Sequence, residues 1–196
     1  MSTTTTRLAA LPLLVIAVTA AGCGGSGSKA TTSKAASNSG AAVNPNGPEV
    51  NPAGDIPDNQ AFVAYSPSSS NYSVKVPEGW ARTQQGGVTT FTDKLNSVQM
   101  QSAKATAAPT TVRFTAQLPS GAKITTVQRT AGPALRGTYL AKGKADPVTG
   151  KVRTNAVERY LFHKGTTTLT LTLTGPKGAD NVDPWKIVTD SVRWTR

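Results

Sequence analysis

The chain has 196 residues, and its 21 Lys and Arg against 10 Asp and Glu give a formal net charge of +11. A single cysteine excludes an internal disulfide, and one cysteine with one histidine cannot supply the usual ligands of a zinc site. We therefore predict no metal, and no motif in the chain predicts a cofactor.

The first 22 residues have the pattern of a signal peptide. Arg7 is their only charge, and Leu8–Val18 (LAALPLLVIAV) is a continuous apolar run. A helix that crosses a bilayer needs roughly 20 apolar residues, whereas the apolar core of a signal peptide needs about 7–15. The run is too short for a lasting membrane span, so residues 1–22 predict export.

The only cysteine follows three small residues, in the order Ala20, Ala21, Gly22, Cys23. This order resembles the lipobox of bacterial lipoproteins, although Ala20 stands where that motif most often has leucine. The resemblance implies that Cys23 is lipidated and anchors the chain to the outer face of the cytoplasmic membrane. An unpaired thiol in an oxidising compartment is otherwise a liability. The alternative is an ordinary signal peptide whose cleavage leaves a free thiol.

A long segment after the cysteine has the composition of a linker. Residues 23–60 contain mainly Gly, Ser, Thr, Ala, Asn and Pro, which offer almost nothing to a hydrophobic core. We therefore predict a disordered tether. The folded domain is predicted to span residues 61–196, which is the usual size of one domain with a single core.

Alternating apolar residues predict antiparallel strands at the start of the domain. In YSVKVPEGW, Tyr72, Val74 and Val76 fall on one face of a strand. The segments GGVTTFTDK and SVQMQSAK predict a hairpin, whose inner face is assigned to Val88, Phe91, Val98 and Met100. Two further strands are predicted in AKITTVQRTAG and ALRGTYLAKG. Between these pairs, residues 110–121 fit a short helix and a strand equally well.

The clearest pattern is NAVERYLFHKGTTTLTLTLTG, which predicts a hairpin that turns around residues 163–165. Its second strand directs three leucines to the core and the intervening threonines to water: Leu169, Leu171 and Leu173, and Thr168, Thr170, Thr172 and Thr174. Near the end of the chain, Asp183 is predicted as the N-cap of a helix that buries Trp185, Val188 and Val192. Consecutive hairpins with few helices predict an α+β fold with a mainly antiparallel sheet.

Three segments of the domain together carry a family resemblance. YSVKVPEGW, a strand that ends in FTD, and the terminal DPWKIVTDSVRW resemble the PsbP-like family, in particular its LpqN-type actinobacterial lipoproteins. The resemblance covers most of residues 61–196 and implies an antiparallel sheet flanked by helices in an α/β/α sandwich. It also implies a non-enzymatic binding or accessory module of a transporter or cell-envelope complex, and it transfers no catalytic residue.

Positive charge concentrates in the middle of the domain, where residues 104–164 carry eleven Lys or Arg against Asp146 and Glu158. We predict contact with an acidic partner through five of these cations: Arg136, Lys142, Lys144, Lys151 and Arg153. For an exported protein, the partner classes are an anionic phospholipid or wall polymer and an integral membrane or cell-wall protein. No nucleic-acid-binding motif accompanies the charge, so nucleic acid is not predicted. The alternative is a cationic surface without a partner.

No catalytic set is predicted. The only histidine, His163, falls at a predicted hairpin tip, where a solvated turn residue is expected rather than a catalytic base. GKADPVTGK has the wrong spacing for a phosphate-binding loop, and Asp180, Asn181 and Asp183 lack the spacing of a calcium loop.

Two other functions remain as alternatives. A hydrolase would need two carboxylates brought together by the fold, from Glu78, Asp93, Glu158 and Asp190. A solute-binding lipoprotein would hold a small ligand in a cleft between the sheet and a helix.

Overall fold

Ten strands and two helices account for most of the residues that the computed structural model describes, which are 53–68, 70–145 and 148–195. The strands are β1 Phe62–Tyr65, β2 Tyr72–Pro77, β3 Ala81–Gln85, β4 Val88–Asp93, β5 Asn96–Lys104, β6 Lys123–Arg129, β7 Gly132–Ala145, β8 Val152–Lys164, β9 Thr167–Pro176 and β10 Arg193–Trp194. The helices are α1 Thr111–Thr115 and α2 Val182–Asp190.

The strands form two sheets, in which every pairing among the described residues is antiparallel. Seven strands form a large sheet in the order β3-β4-β5-β9-β8-β7-β6, and three form a small sheet in the order β1-β2-β10. Within the large sheet, only the β5–β9 pairing joins strands that are not consecutive in the chain. The predicted α+β fold with a mainly antiparallel sheet is therefore confirmed.

Alternate residues of three strands supply the centre of the core. Each of them is at most 2% exposed: Tyr72, Val74 and Val76 on β2, Val98 and Met100 on β5, and Leu169, Leu171 and Leu173 on β9. These are the inward positions that the alternation in the sequence predicts. Burying each aliphatic side chain contributes roughly 1.5–3 kcal/mol, so the β5–β9 pairing carries much of the stability of the sheet.

The inner face of β4 differs from the prediction. Val88 and Phe91 are three residues apart and so lie on opposite faces of a strand, whereas Thr89 is buried on the same face as Phe91. The Thr89 Oγ1 lies 3.4 Å from the hydroxyl of Tyr65, which gives this buried polar atom a partner. The alternation of apolar residues does not predict a threonine at an inward position.

The large sheet has two different faces. One packs against α2 and the small sheet and forms the core. The other, which we call the open face, carries the odd-numbered positions of β8 from Asn155 to His163 and the even-numbered positions of β9 from Thr168 to Thr174. The four threonines predicted to face water lie here and are half-buried.

Helix α1 covers part of the open face. The hydroxyl of Thr110 accepts a hydrogen bond from the backbone N–H of Arg113 at 3.3 Å and so caps the helix. Phe114 is 1% exposed, and with Leu118 it packs over Gly137 of β7, where any side chain would collide with Leu118. Of the two structures that the sequence leaves open for this segment, the short helix is the one that forms.

Helix α2 buries Trp185 and Val188, as its pattern predicts. The third predicted residue, Val192, is also buried but lies just beyond the end of the helix. Its predicted N-cap is wrong by two residues, because Asn181 occupies that position and Asp183 lies in the first turn. In the first turn, the Asp183 carboxylate still interacts favourably with the positive end of the helix dipole. The Asn181 side chain makes no capping hydrogen bond, because its amide is used elsewhere.

The Asn181 amide lies in a buried junction of four segments. Its Oδ1 accepts a hydrogen bond from the Ile56 backbone N–H at 2.8 Å. Its Nδ2 donates to the Gly54 carbonyl and to Asn96 Oδ1, each at 3.0 Å. Gly175 lies against both asparagines, and a side chain there would collide with their amides. The junction therefore joins the N-terminal segment to β5, β9 and α2.

Residues 54–60 are part of the folded domain. Ile56 is 4% exposed and belongs to the core, and Asp55 Oδ1 accepts a hydrogen bond from the Asp180 backbone N–H at 2.9 Å. The tether predicted up to residue 60 therefore gives way to folded structure by Gly54. One isoleucine among polar residues is too weak a pattern to predict this. The signal peptide, residues 1–22, and the rest of the predicted tether lie outside the described residues.

We expect Asn181→Ala to lower the free energy of unfolding by about 3 kcal/mol, because it removes three buried hydrogen bonds worth about 1 kcal/mol each. Asp183→Ala should cost less than about 1 kcal/mol, because it removes only a charge near a helix N-terminus. Urea denaturation followed by tryptophan fluorescence measures both. Equal losses in the two variants would contradict the assignment of Asn181 to the junction.

Candidate functional site

The β7–β8 hairpin extends beyond the strands on either side of it. β6 pairs with β7 only as far as Thr138, and β9 pairs with β8 only as far as Asn155. Beyond these points the two strands pair with each other, apart from one bond from the Lys177 N–H to the Thr154 carbonyl. We call residues 141–154 the arm. Its ladder continues about 10 Å past the sheet, at roughly 3.4 Å per residue.

The arm carries four of the five predicted contact residues, and all four are exposed: Lys142, Lys144, Lys151 and Arg153. Lys142 pairs with Thr154, so Arg153, one residue earlier, projects from the opposite face of the hairpin. The two ion pairs of the described residues lie elsewhere. Asp146, in the turn of the arm, lies outside the described residues. The arm is therefore a cationic extension that presents charge on both faces.

The N-terminal segment joins the domain at the base of this arm. Gly54 has a φ of +104° and lies so close to Pro176 that a side chain on it would collide with the proline ring. Pro176 pairs with Asn155, the residue that follows the arm. Gly54 therefore lies beside the base of the arm.

Arg136, the fifth predicted residue, is separate from the other four. It precedes Lys142 by six residues, which corresponds to about 20 Å along a strand. Its side chain is partly buried on the core face in an ion pair with Glu158, whose other oxygen accepts a hydrogen bond from the Tyr160 hydroxyl at 2.6 Å. Because this guanidinium is already paired, we leave Arg136 out of the contact surface.

A row of polar groups continues from this pair to α2. Arg129 Nη2 donates to the Tyr160 hydroxyl at 3.3 Å, and Arg129 Nε lies 3.5 Å from Asp190 Oδ1. Burial raises the pKa of Tyr160, and the hydrogen bond to Glu158 raises it further. Burial lowers the pKa of Arg136, but the hydrogen bond and charge of Glu158 outweigh burial and raise it. Two of the four candidate hydrolase carboxylates, Glu158 and Asp190, are thus each held by an arginine.

We expect Arg136→Gln to lower the free energy of unfolding by about 2 kcal/mol, because it leaves the Glu158 carboxylate partly buried without its counter-charge. Lys142→Gln, the matched change on the arm, should cost less than about 0.5 kcal/mol because that side chain is exposed. Urea denaturation of both variants measures the difference. A large loss for Lys142→Gln, or none for Arg136→Gln, would contradict this division of the basic residues.

A cleft of 320 Å³ lies between the open face and the chain around α1. Its floor is formed by β5, β8 and β9, with Gln101, Arg159, Leu161, Thr168 and Thr170. Its wall runs from Ala105 to Pro109 and continues with Arg113, Phe114 and Gln117. The sequence assigns no role to Arg113 or Arg159. One feature of the sequence could have pointed to cations without counter-charges: the absence of any Asp or Glu between Asp93 and Asp146, the stretch that contains Arg113.

His163 is not at the tip of its hairpin. It lies within β8, half-buried, and its Nε2 is buried without a hydrogen-bond partner among the described residues. The expectation of a solvated turn residue is wrong because the turn begins only after Lys164. His163 lines a second hollow of 200 Å³, which shares Ala108, Pro109 and Leu161 with the cleft.

The described part of the chain contains no group of three or more His, Cys, Asp or Glu side chains placed to hold a metal ion. None of its helices is long and apolar enough to cross a membrane. The predicted lipidation site, Cys23, lies outside these residues.

Comparisons with known proteins do not place the chain in a family. No family model matches it, and no curated protein is significantly similar to it. Among solved structures, a crystal structure at 1.50 Å resolution from Bacteroides thetaiotaomicron VPI-5482 is similar, with 14% identity and a TM-score of 0.48. The similarity covers 64% of this chain and 46% of that one, so this chain spans less than half of that protein. At this level the similarity identifies neither fold nor function.

Proposed function

We propose that this chain is a lipid-anchored binding module at the outer face of the cytoplasmic membrane. It acts without catalysis, as an accessory part of a transporter or cell-envelope complex, and Cys23 carries the lipid. We assign its domain to the PsbP-like α/β/α sandwich. The positions of α2 and α1 against opposite faces of an antiparallel sheet support this assignment.

The observation that carries the proposal is the arm with its four exposed cations. Gly54 lies beside the base of the arm, so a lipid anchor on the upstream chain would keep the arm within reach of the membrane. Each Lys or Arg near an anionic leaflet contributes about 1 kcal/mol of attraction. Leu140 and Val152, 54% and 53% exposed, add apolar surface next to the cations. The arm therefore fits an anionic lipid surface.

We expect the wild-type chain to fractionate with membranes and to carry a mass increase at Cys23 that corresponds to acyl chains. Cys23→Ala should be released into the medium, because the remaining charge attraction is screened at physiological salt. Membrane fractionation and mass spectrometry of the N-terminal peptide measure both effects. Wild-type chain with an unmodified Cys23, or an undiminished membrane fraction of Cys23→Ala, would contradict anchoring at this residue.

The contribution of the arm is measured in the exported Cys23→Ala form, so that the lipid does not mask it. We expect this form to sediment with vesicles that contain phosphatidylglycerol and not with phosphatidylcholine vesicles. Changing Lys142, Lys144, Lys151 and Arg153 to Gln should weaken sedimentation at least about tenfold, since about 1 kcal/mol is lost per residue.

A matched control removes the same charge elsewhere. Lys75, Lys104, Lys164 and Lys186 are exposed and lie off the arm, and changing all four to Gln should weaken sedimentation far less. Equal losses in the two quadruple variants would show general charge attraction and overturn the role of the arm. If vesicles do not bind but the arm crosslinks to a membrane or wall protein in cells, the partner is that protein and not the lipid.

A second candidate function is the capture of a small solute. The observation that favours it is the cleft between the open face and α1, whose volume lies at the small end of the range of ligand sites. The cleft and the arm involve different residues, so one chain can have both functions.

A further inference from the structure

The cleft on the open face combines polar and apolar walls. Thr168 and Thr170 supply hydroxyls, Gln101 and Gln117 supply amides, and Arg113 and Arg159 supply charge. Small apolar residues and two larger ones complete the lining: Ala103, Ala105, Ala107, Ala108, Pro109, Phe114 and Leu161. A mostly apolar concave surface with a few convergent polar groups is the usual form of a small-molecule site.

The two arginines of the cleft lack counter-charges. Both ion pairs among the described residues involve other arginines, Arg129 and Arg136, which the carboxylates of Asp190 and Glu158 neutralise. Among the described residues, Arg159 donates one long hydrogen bond, 3.4 Å from Nη1 to the Gln117 carbonyl, and its Nε is buried without a partner. A guanidinium group with few acceptors is costly to bury, and an anion in the cleft would offset that cost.

A second buried nitrogen without a partner lies four residues farther along β8, on His163. Arg159, Leu161 and His163 alternate along β8, so all three project from the open face. Among the described residues, His163 Nε2 is the one other atom of this kind outside the polar row on the core face, where Arg129 and Arg136 lie. Buried nitrogens without partners on the open face thus lie beside the cleft and the adjoining hollow.

The open face also carries no opposing charge. No Asp or Glu occurs between Asp93 and Asp146, and this stretch supplies most of the lining of the cleft. Glu158, the carboxylate next in sequence to Arg159, points to the opposite face of the sheet, where Arg136 holds it. No acidic residue of the described strands on this face competes with a bound anion for the two arginines.

From these observations we propose that the cleft binds a small organic phosphate. The guanidinium groups of Arg113 and Arg159 bind the phosphate oxygens, and Thr170 adds a hydroxyl donor. The Thr168 hydroxyl already donates to the Ala103 carbonyl at 3.2 Å. Two positive charges match a phosphate monoester, which carries about −1.5 to −2 near pH 7, better than they match a single carboxylate. The apolar lining takes a short carbon chain, and the volume limits the ligand to a small one. The inference deepens the second candidate function and is independent of the arm.

The probe is butyl phosphate, titrated by calorimetry into the full chain in its Cys23→Ala form. We expect Arg113→Gln and Arg159→Gln each to weaken binding by about tenfold or more, because each removes a charge-assisted contact. Arg82→Gln, which removes the same charge from an exposed residue of β3 outside the cleft and the arm, should bind like the parent chain. Arg113 is exposed, so its variant tests the site even where Arg159→Gln disturbs folding, and Arg159→Lys should restore part of the affinity.

The nature of the ligand is tested with three related probes. Butyrate and inorganic phosphate should each bind at least about tenfold more weakly than butyl phosphate, because one lacks a charge and the other lacks the apolar chain. Butyltrimethylammonium should not bind. No binding of butyl phosphate, equal binding of butyrate, or unchanged binding in Arg113→Gln and Arg159→Gln would overturn the proposal.

Vesicles distinguish the two sources of the phosphate. If vesicles containing phosphatidic acid bind in a way that depends on Arg113 and Arg159, the phosphate is a lipid headgroup. If only soluble butyl phosphate depends on these arginines, while vesicles depend on the arm, the ligand is a free solute. Loss of vesicle binding in the arm variant with intact phosphate binding supports both sites. Undiminished vesicle binding with intact phosphate binding overturns the arm alone, and loss of phosphate binding in the arm variant overturns the cleft.

Discussion

Two buried amides, Asn96 and Asn181, hold the N-terminal segment against β5 and α2, in addition to the β5–β9 ladder and the hydrogen bond between Asp55 and Asp180. Both donate to the carbonyl of Gly54, at 2.9 and 3.0 Å, and Asn181 donates to Asn96 as well. Apolar packing is tolerant of small shifts, whereas a buried amide without its partner costs about 1–3 kcal/mol. The junction therefore fixes where the N-terminal segment leaves the sheet. The two amides fit against β9 because Gly175 has no side chain, and a side chain there would collide with them.

This constraint decides at which end of the sheet Gly54 lies. Gly54 lies against Pro176, and the same end of the sheet continues into the arm through the pairing of Pro176 with Asn155. The position of Gly54 relative to the cations of the arm is thus a property of the junction, although the residues of the arm take no part in it.

The regular parts of this fold were predictable from sequence because alternation is a local signal. The hairpin of β8 and β9 and the buried face of α2 follow directly from the order of leucines, threonines and valines. The junction was not predictable, because Asn96 and Asn181 are 85 residues apart and look like turn residues. Asp183 looked like the better N-cap for the same reason: nothing local shows that the Asn181 amide is engaged by Ile56 and Gly54.

The basic residues also show what the sequence alone does not predict. Composition locates the excess charge between residues 104 and 164, but strand pairing decides which cation meets a carboxylate. Arg136 and Arg159 belong to neighbouring strands, β7 and β8, yet project from opposite faces of the sheet. One is neutralised by Glu158 on the core face, and the other lies in a cleft without an acid. Period-two alternation thus sorts a uniformly basic stretch into cations that stabilise the domain and cations left free to bind.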